Sequence, residues 1–114
     1  MHRRFLSAAL FLIALPVVAT NEDPLAVVAE LGRLNGEALA CSQSAISNQA
    51  KKLMIGHAPK TRRYGEVFEE QTNSAFLAQG KDARCQTAED FSRRLDDLAT
   101  RLQQWLPVAA TPAR

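Results

Sequence analysis

Apolar residues recur along most of the chain with the spacing of an α-helix. The clearest stripe lies near the C-terminus, where steps of four and three residues separate Phe91, Leu95, Leu98, Leu102 and Trp105. A second stripe consists of Val27, Leu31, Leu34, Ala38, Cys41 and Ala45. No segment alternates apolar and polar residues with the period of two expected for a half-buried strand. The pattern predicts an all-α protein, a small compact bundle of about four helices.

The first predicted helix begins at Asp23 and Pro24, which are typical of an N-cap and a first helical position. This helix carries a row of small residues four apart, Gly32, Gly36 and Ala40. Each interior glycine costs about 1 kcal/mol relative to alanine, so a compensating interaction is expected. The row therefore predicts that another helix packs unusually close to the first.

The connection to the second helix is rich in serine between positions 42 and 47. Serine side chains either bend a helix or cap a new one, so Ser42 and Ser44 are candidate caps. The sequence is compatible with a bend in one continuous helix and with a break between two helices. The second helix is expected to stop at Gly56, since Pro59 prevents its continuation.

Thr61 is placed to cap a third helix running to about Gln79, with one apolar face formed by Tyr64, Val67, Phe68, Thr72, Ala75 and Phe76. The segment Thr87–Asp90 resembles a capping box, which predicts the start of a fourth helix. Pro107 ends that helix, and residues 107–114 are expected to form a flexible tail. We expect the long first and fourth helices to enclose the middle pair.

The N-terminus has the pattern of a secretory signal peptide. Arg3 and Arg4 precede an apolar run over residues 5–15, and small residues follow up to Ala19. The pattern predicts cleavage after Ala19, which leaves a helical domain at 20–106. An uncleaved anchor is the alternative, but the apolar stretch is shorter than the roughly 20 residues that span a bilayer. We therefore expect a periplasmic or secreted protein without a stable membrane anchor.

The chain contains two cysteines, Cys41 and Cys85. In an oxidising compartment an even pair predicts a disulfide, which would staple the bundle. Closing a loop of this length is worth roughly 4 kcal/mol in the chain-entropy model. A redox centre or thiolate metal site is disfavoured, because such sites use closely spaced cysteines or additional ligands.

Charge is balanced overall but uneven along the chain. Without Arg3 and Arg4 the numbers of basic and acidic residues are equal, which argues against a globally cationic nucleic-acid binder. The segment 51–63 nevertheless holds five cations and no acid. With the adjacent tyrosine, it forms what we call the basic ridge: Lys51, Lys52, Lys60, Arg62, Arg63 and Tyr64.

The basic ridge is the candidate protein-docking surface, expected to bind a protein with an acidic surface. The alternative is that its side chains neutralise acids within the fold. A single tyrosine makes a nucleic-acid stacking platform unexpected. Elsewhere, charges four residues apart, such as Arg93, Asp97 and Arg101, are typical of ion pairs along a solvated helix.

No catalytic constellation is visible. His57 is the one histidine beyond the signal peptide, and no serine lies in a nucleophile-elbow context. Met54 and His57 are weak candidates for a copper-type site, although Met54 also fits the apolar stripe. We therefore expect no catalytic residue, no cofactor and no metal.

These features predict an exported, non-catalytic helical protein that binds another macromolecule as an accessory, adaptor or inhibitor of the immunity type. The alternative function is the binding of a small ligand or a copper-type metal. The sequence leaves the oligomeric state open between monomer and homodimer, because an apolar helical seam serves either.

Overall fold

The computed structural model describes residues 22–81 and 84–108. This part of the chain forms four helices and no strand: α1 (Pro24–Ala40), α2 (Ser44–His57), α3 (Arg62–Lys81) and α4 (Ala88–Trp105). The predicted all-α bundle is confirmed. The predicted signal peptide and most of the predicted tail lie outside the described residues.

Local capping explains where α1 and α4 begin. The Asp23 carboxylate accepts a hydrogen bond of 2.9 Å from the Leu25 backbone N–H, and Pro24 is the first helical residue. At α4, the Thr87 hydroxyl accepts a hydrogen bond of 3.1 Å from the Asp90 N–H. Both predicted helix starts are confirmed, with Asp23 and Thr87 as the N-cap residues.

A break separates α1 from α2. Ser42 has a φ of 59°, and the N–H groups of Ser42 and Gln43 donate to the carbonyls of Leu39 and Ala38. These bonds form a Schellman motif, which ends a helix. The predicted serine cap of α2 is wrong: Gln43 is the N-cap residue and makes no side-chain capping bond. Ala45, expected on the inward stripe of the first helix, lies exposed in α2.

Helix α1 is the centre of the bundle, because it packs against α2, α3 and α4. Among the described residues, α3 contacts no helix other than α1, and α2 also contacts α4. The expectation that α1 and α4 enclose the middle helices is therefore wrong. The reason is the glycine row, which provides a flat side of α1 on which α3 lies.

The crossing of α1 and α3 is as close as the glycine row predicts. A Cβ atom built on Gly32 would lie 2.6 Å from the Phe68 carbonyl oxygen. A Cβ atom on Gly36 would overlap the Thr72 carbonyl oxygen. Only glycine allows the two backbones to approach this closely.

The main hydrophobic core lies between α1, α2 and α4. Its fully buried side chains include Leu31, Leu34, Phe91 and Leu102. Helix α3 adds half-buried Tyr64 and Phe68 at the edge of this core. Phe76, predicted on the inward face of α3, is 45% exposed, so α3 lies on the outside of the bundle.

The predicted disulfide joins Cys41 to Cys85, whose Cα atoms are 5.8 Å apart. It connects the end of α1 to the linker that precedes α4. The bridge therefore fixes the same end of the bundle at which α3 finishes.

Candidate protein-docking site

The basic ridge covers the second half of α2, the α2–α3 loop and the start of α3. All five of its cations are exposed, whereas Tyr64 is half-buried against the core. Within residues 22–81 and 84–108, none of the five cations forms an ion pair. The alternative, that these cations neutralise acids of the fold, therefore finds no support in this part of the chain.

The cations near the loop have different local roles. The Lys60 Nζ atom donates to the Ile55 carbonyl oxygen at 2.5 Å, near the C-terminus of α2. Arg62 and Arg63 are the first two residues of α3, whose first turn contains no acidic residue. The positive end of the helix dipole lies at that position, so it repels both guanidinium groups.

Lys51 and Lys52 line two different grooves, so these two cations of the basic ridge lie on different sides of α2. Lys51 lines the α2–α3 groove, a depression of about 390 Å³ formed with Asn35, Leu39, Phe68, Glu69, Thr72 and Asn73. Lys52 lines the α2–α4 groove, a depression of about 340 Å³ that includes Leu53, His57, Leu95, Asp96 and Val108. Lys51 therefore faces the side on which α3 lies, and Lys52 faces the side of α4.

The α2–α3 groove exists because α2 and α3 do not pack against each other. Beneath the groove, a network of polar side chains connects α2 and α3, which form its two walls. The Ser47 hydroxyl on α2 donates to the Asn35 Oδ1 atom at 2.6 Å, and the Asn35 Nδ2 atom donates to the Thr72 hydroxyl at 3.2 Å. Asn35 is buried in α1 and so connects α2 to α3 through its side chain. These two hydrogen bonds therefore link α1 to both walls of the groove.

The two weak metal-ligand candidates face different depressions. Met54 packs against the core and lines a depression with Pro59 and Gly65, whereas His57 lines the α2–α4 groove. The His57 Nδ1 atom lies 2.6 Å from the Leu106 carbonyl oxygen, an arrangement in which Nδ1–H donates. Nowhere in the described ranges do three or more His, Cys, Asp or Glu side chains cluster as metal ligands.

The opposite side of the bundle, between α1 and α4, has paired charges. Arg101 forms ion pairs with Glu22, Glu30 and Asp97, and Arg94 pairs with Glu37. The hydrogen bonds that Arg101 donates to Glu30 and Glu22 raise the pKa of its guanidinium group. The hydrogen bond from Arg101 lowers the pKa of Glu22.

Sequence spacing predicts the Asp97–Arg101 pair of this network, because both residues lie on one helix. The pairs that join α4 to α1 or to Glu22 have no local signal in the sequence. Arg93 pairs with Asp90 rather than with Asp97 as the spacing predicts. The charge contrast between the two sides of the bundle is therefore a product of the fold.

Comparisons with protein families, curated proteins and solved structures find no match to this chain. None of the described helices is both long enough and apolar enough to cross a membrane.

Proposed function

We propose that this chain is an exported, non-catalytic protein that binds an acidic partner protein through the basic ridge, as an accessory, adaptor or inhibitor. The observation that carries the proposal is the contrast in charge pairing. Arg94 and Arg101 hold carboxylates of the same chain, whereas the cations of the basic ridge are exposed without such partners in the described structure.

The position of Arg62 and Arg63 adds an energetic argument. A cation in the first turn of a helix is unfavourable by about 0.3–1 kcal/mol. A carboxylate of a partner would reverse this interaction and could accept paired hydrogen bonds from each guanidinium group. Such rim charges act mainly on association rate and partner choice.

Export is supported by the signal-like N-terminus and by the disulfide between Cys41 and Cys85. Disulfides persist in oxidising compartments and are rare in the cytosol. The proposed site of action is therefore the periplasm or the extracellular space.

Charge reversal tests the docking surface. The double variant Arg62→Glu with Arg63→Glu changes the basic ridge, and Lys81→Glu with Arg93→Glu gives the same change in net charge elsewhere. Both control positions are exposed. Each protein is used to capture partners from the envelope fraction of the source organism, and recovery is quantified by mass spectrometry.

We expect the control variant to recover the same partner as the unmodified protein, and the basic-ridge variant to lose it. Recovery by the unmodified protein should also decrease with ionic strength, because exposed charges are screened. Equal recovery by the two double variants would exclude the basic ridge as the docking surface.

A further inference from the structure

The α2–α3 groove extends the proposed docking surface. We infer that it binds an amphipathic α-helix of the acidic partner. This inference rests on the proposed function and specifies the structural element that the partner presents.

One exposed apolar side chain lines this groove, and two others lie exposed beside it. Leu39 lines it and is 40% exposed. Ile55, at 67%, lines the adjoining depression with Lys60 and Gly65. Phe76 follows Thr72 by one helical turn, so it lies on the same side of α3. Apolar surface at both ends of a groove is what the apolar face of a helix requires.

The dimensions also suit a helix. Because α2 and α3 pack on α1 but not on each other, they leave an open channel above α1. One wall is α2, which has 14 residues and is therefore about 21 Å long. A partner helix of four turns has the same length, and its residues at i, i+3, i+4 and i+7 would face the channel.

Charge selects an acidic helix and gives it an orientation. Lys51 lies on the α2 wall, and Lys60 and Arg62 lie at the loop end. Glu69 lies on the opposite wall. The complementary helix has carboxylates along the edge beside α2 and at the loop end, with a cation facing Glu69. These two edges differ in charge, so the helix fits in one orientation.

Site-specific photo-crosslinking in the source organism tests the occupant. Benzoylphenylalanine replaces, in separate full-length proteins, three groove residues: Leu39, Lys51 and Asn73. Control replacements at Gln49, which lines the α2–α4 groove, and at Leu77 lie outside both the α2–α3 groove and the basic ridge. A replacement at Arg63 reports on the basic ridge alone, and crosslinked peptides are sequenced by mass spectrometry.

We expect the three groove positions to crosslink to one segment of another protein, and this segment to be amphipathic and acidic on one edge. The control positions should give no such product. Crosslinks at Arg63 without crosslinks in the groove would overturn the helix inference but leave the proposed function intact. No crosslink at any position would contradict both.

Other occupants give distinct products. Crosslinks to a second copy of this chain, to its own residues 1–21, or to a segment without an acidic amphipathic pattern would each overturn the inference. For a confirmed segment, a synthetic peptide is then titrated against Lys51→Glu and against Lys81→Glu, an exposed position outside the groove and the basic ridge. We expect Lys51→Glu to weaken binding about tenfold and Lys81→Glu by less than about twofold, because the same charge reversal is made inside the groove and outside it. Equal effects would place the peptide elsewhere.

Discussion

Gly36 and Gly65 are both helical glycines, but their surroundings differ. Gly36 lies against the backbone of α3, where a Cβ atom would meet the Thr72 carbonyl oxygen and the Ala75 side chain. Gly65 has open space around the position of a Cβ atom. The same substitution therefore has opposite consequences at the two positions.

We predict that Gly36→Ala destabilises the protein by about 1–3 kcal/mol, because the two helices must separate. Gly65→Ala should stabilise it by up to about 1 kcal/mol, through helix propensity alone. Urea unfolding of the oxidised proteins measures both changes. A stabilising Gly36→Ala would show that the α1–α3 crossing is looser than described.

Glu22 provides a pH-dependent contribution to stability, because its hydrogen bond with Arg101 lowers its pKa in the folded protein. The contribution is present above the ordinary pKa of 4.5 and is lost as the pH falls through the lower folded value. We predict that Glu22→Gln lowers the Tm at pH 7. At pH 3 the difference from the unmodified protein should shrink, since the glutamate is then increasingly protonated. A difference that is constant between pH 7 and pH 3 would contradict this assignment.

At the scale of elements, the sequence predicts what is encoded locally. Asp23 with Pro24 and Thr87 with Asp90 fix helix starts through contacts within one turn, so their positions follow from short motifs. The Schellman turn at Ser42 has no such motif, because its left-handed position is usually occupied by glycine rather than serine. The sequence therefore does not decide whether the first helix bends or ends near Ser42.

The arrangement of the helices is likewise not encoded in local sequence motifs. The small residues of α1 predict a close neighbour but do not say which helix it is. The choice of α3 depends on backbone contacts of Phe68 and Thr72, which are distant in sequence. The groove follows from this choice, and so the division of Lys51 from Lys52 was not predictable from a run of cations.

The outer position of α3 leads to a prediction about its dynamics. The main core is formed by α1, α2 and α4, and Ala75, which is 8% exposed, is the only residue of α3 that counts as buried. Elements with little buried apolar surface open at lower free energy than the core. We expect amides in the middle of α3 to exchange with deuterium before those of α1 and α4, in native-state measurements on the oxidised protein. Equal protection in α1 and α3 would contradict this expectation.

For the whole molecule, the two charge arrangements lie on different sides of α1. Ion pairs between α1 and α4 hold Arg94 and Arg101 in place. The cations of the basic ridge remain exposed to solvent beside the α2–α3 groove. A protein without net charge in its predicted exported form can therefore still orient an approaching acidic surface through its local field.

The disulfide also changes the connectivity of the chain. It closes residues 41–85 into a covalent ring that contains α2, α3 and the exposed loop segment 59–61, while α1 and α4 extend from the closure point. A single peptide-bond cut inside this ring opens it but releases no fragment. The two pieces stay joined through Cys41 and Cys85, so a chain cut within the segment 59–61 is still one molecule.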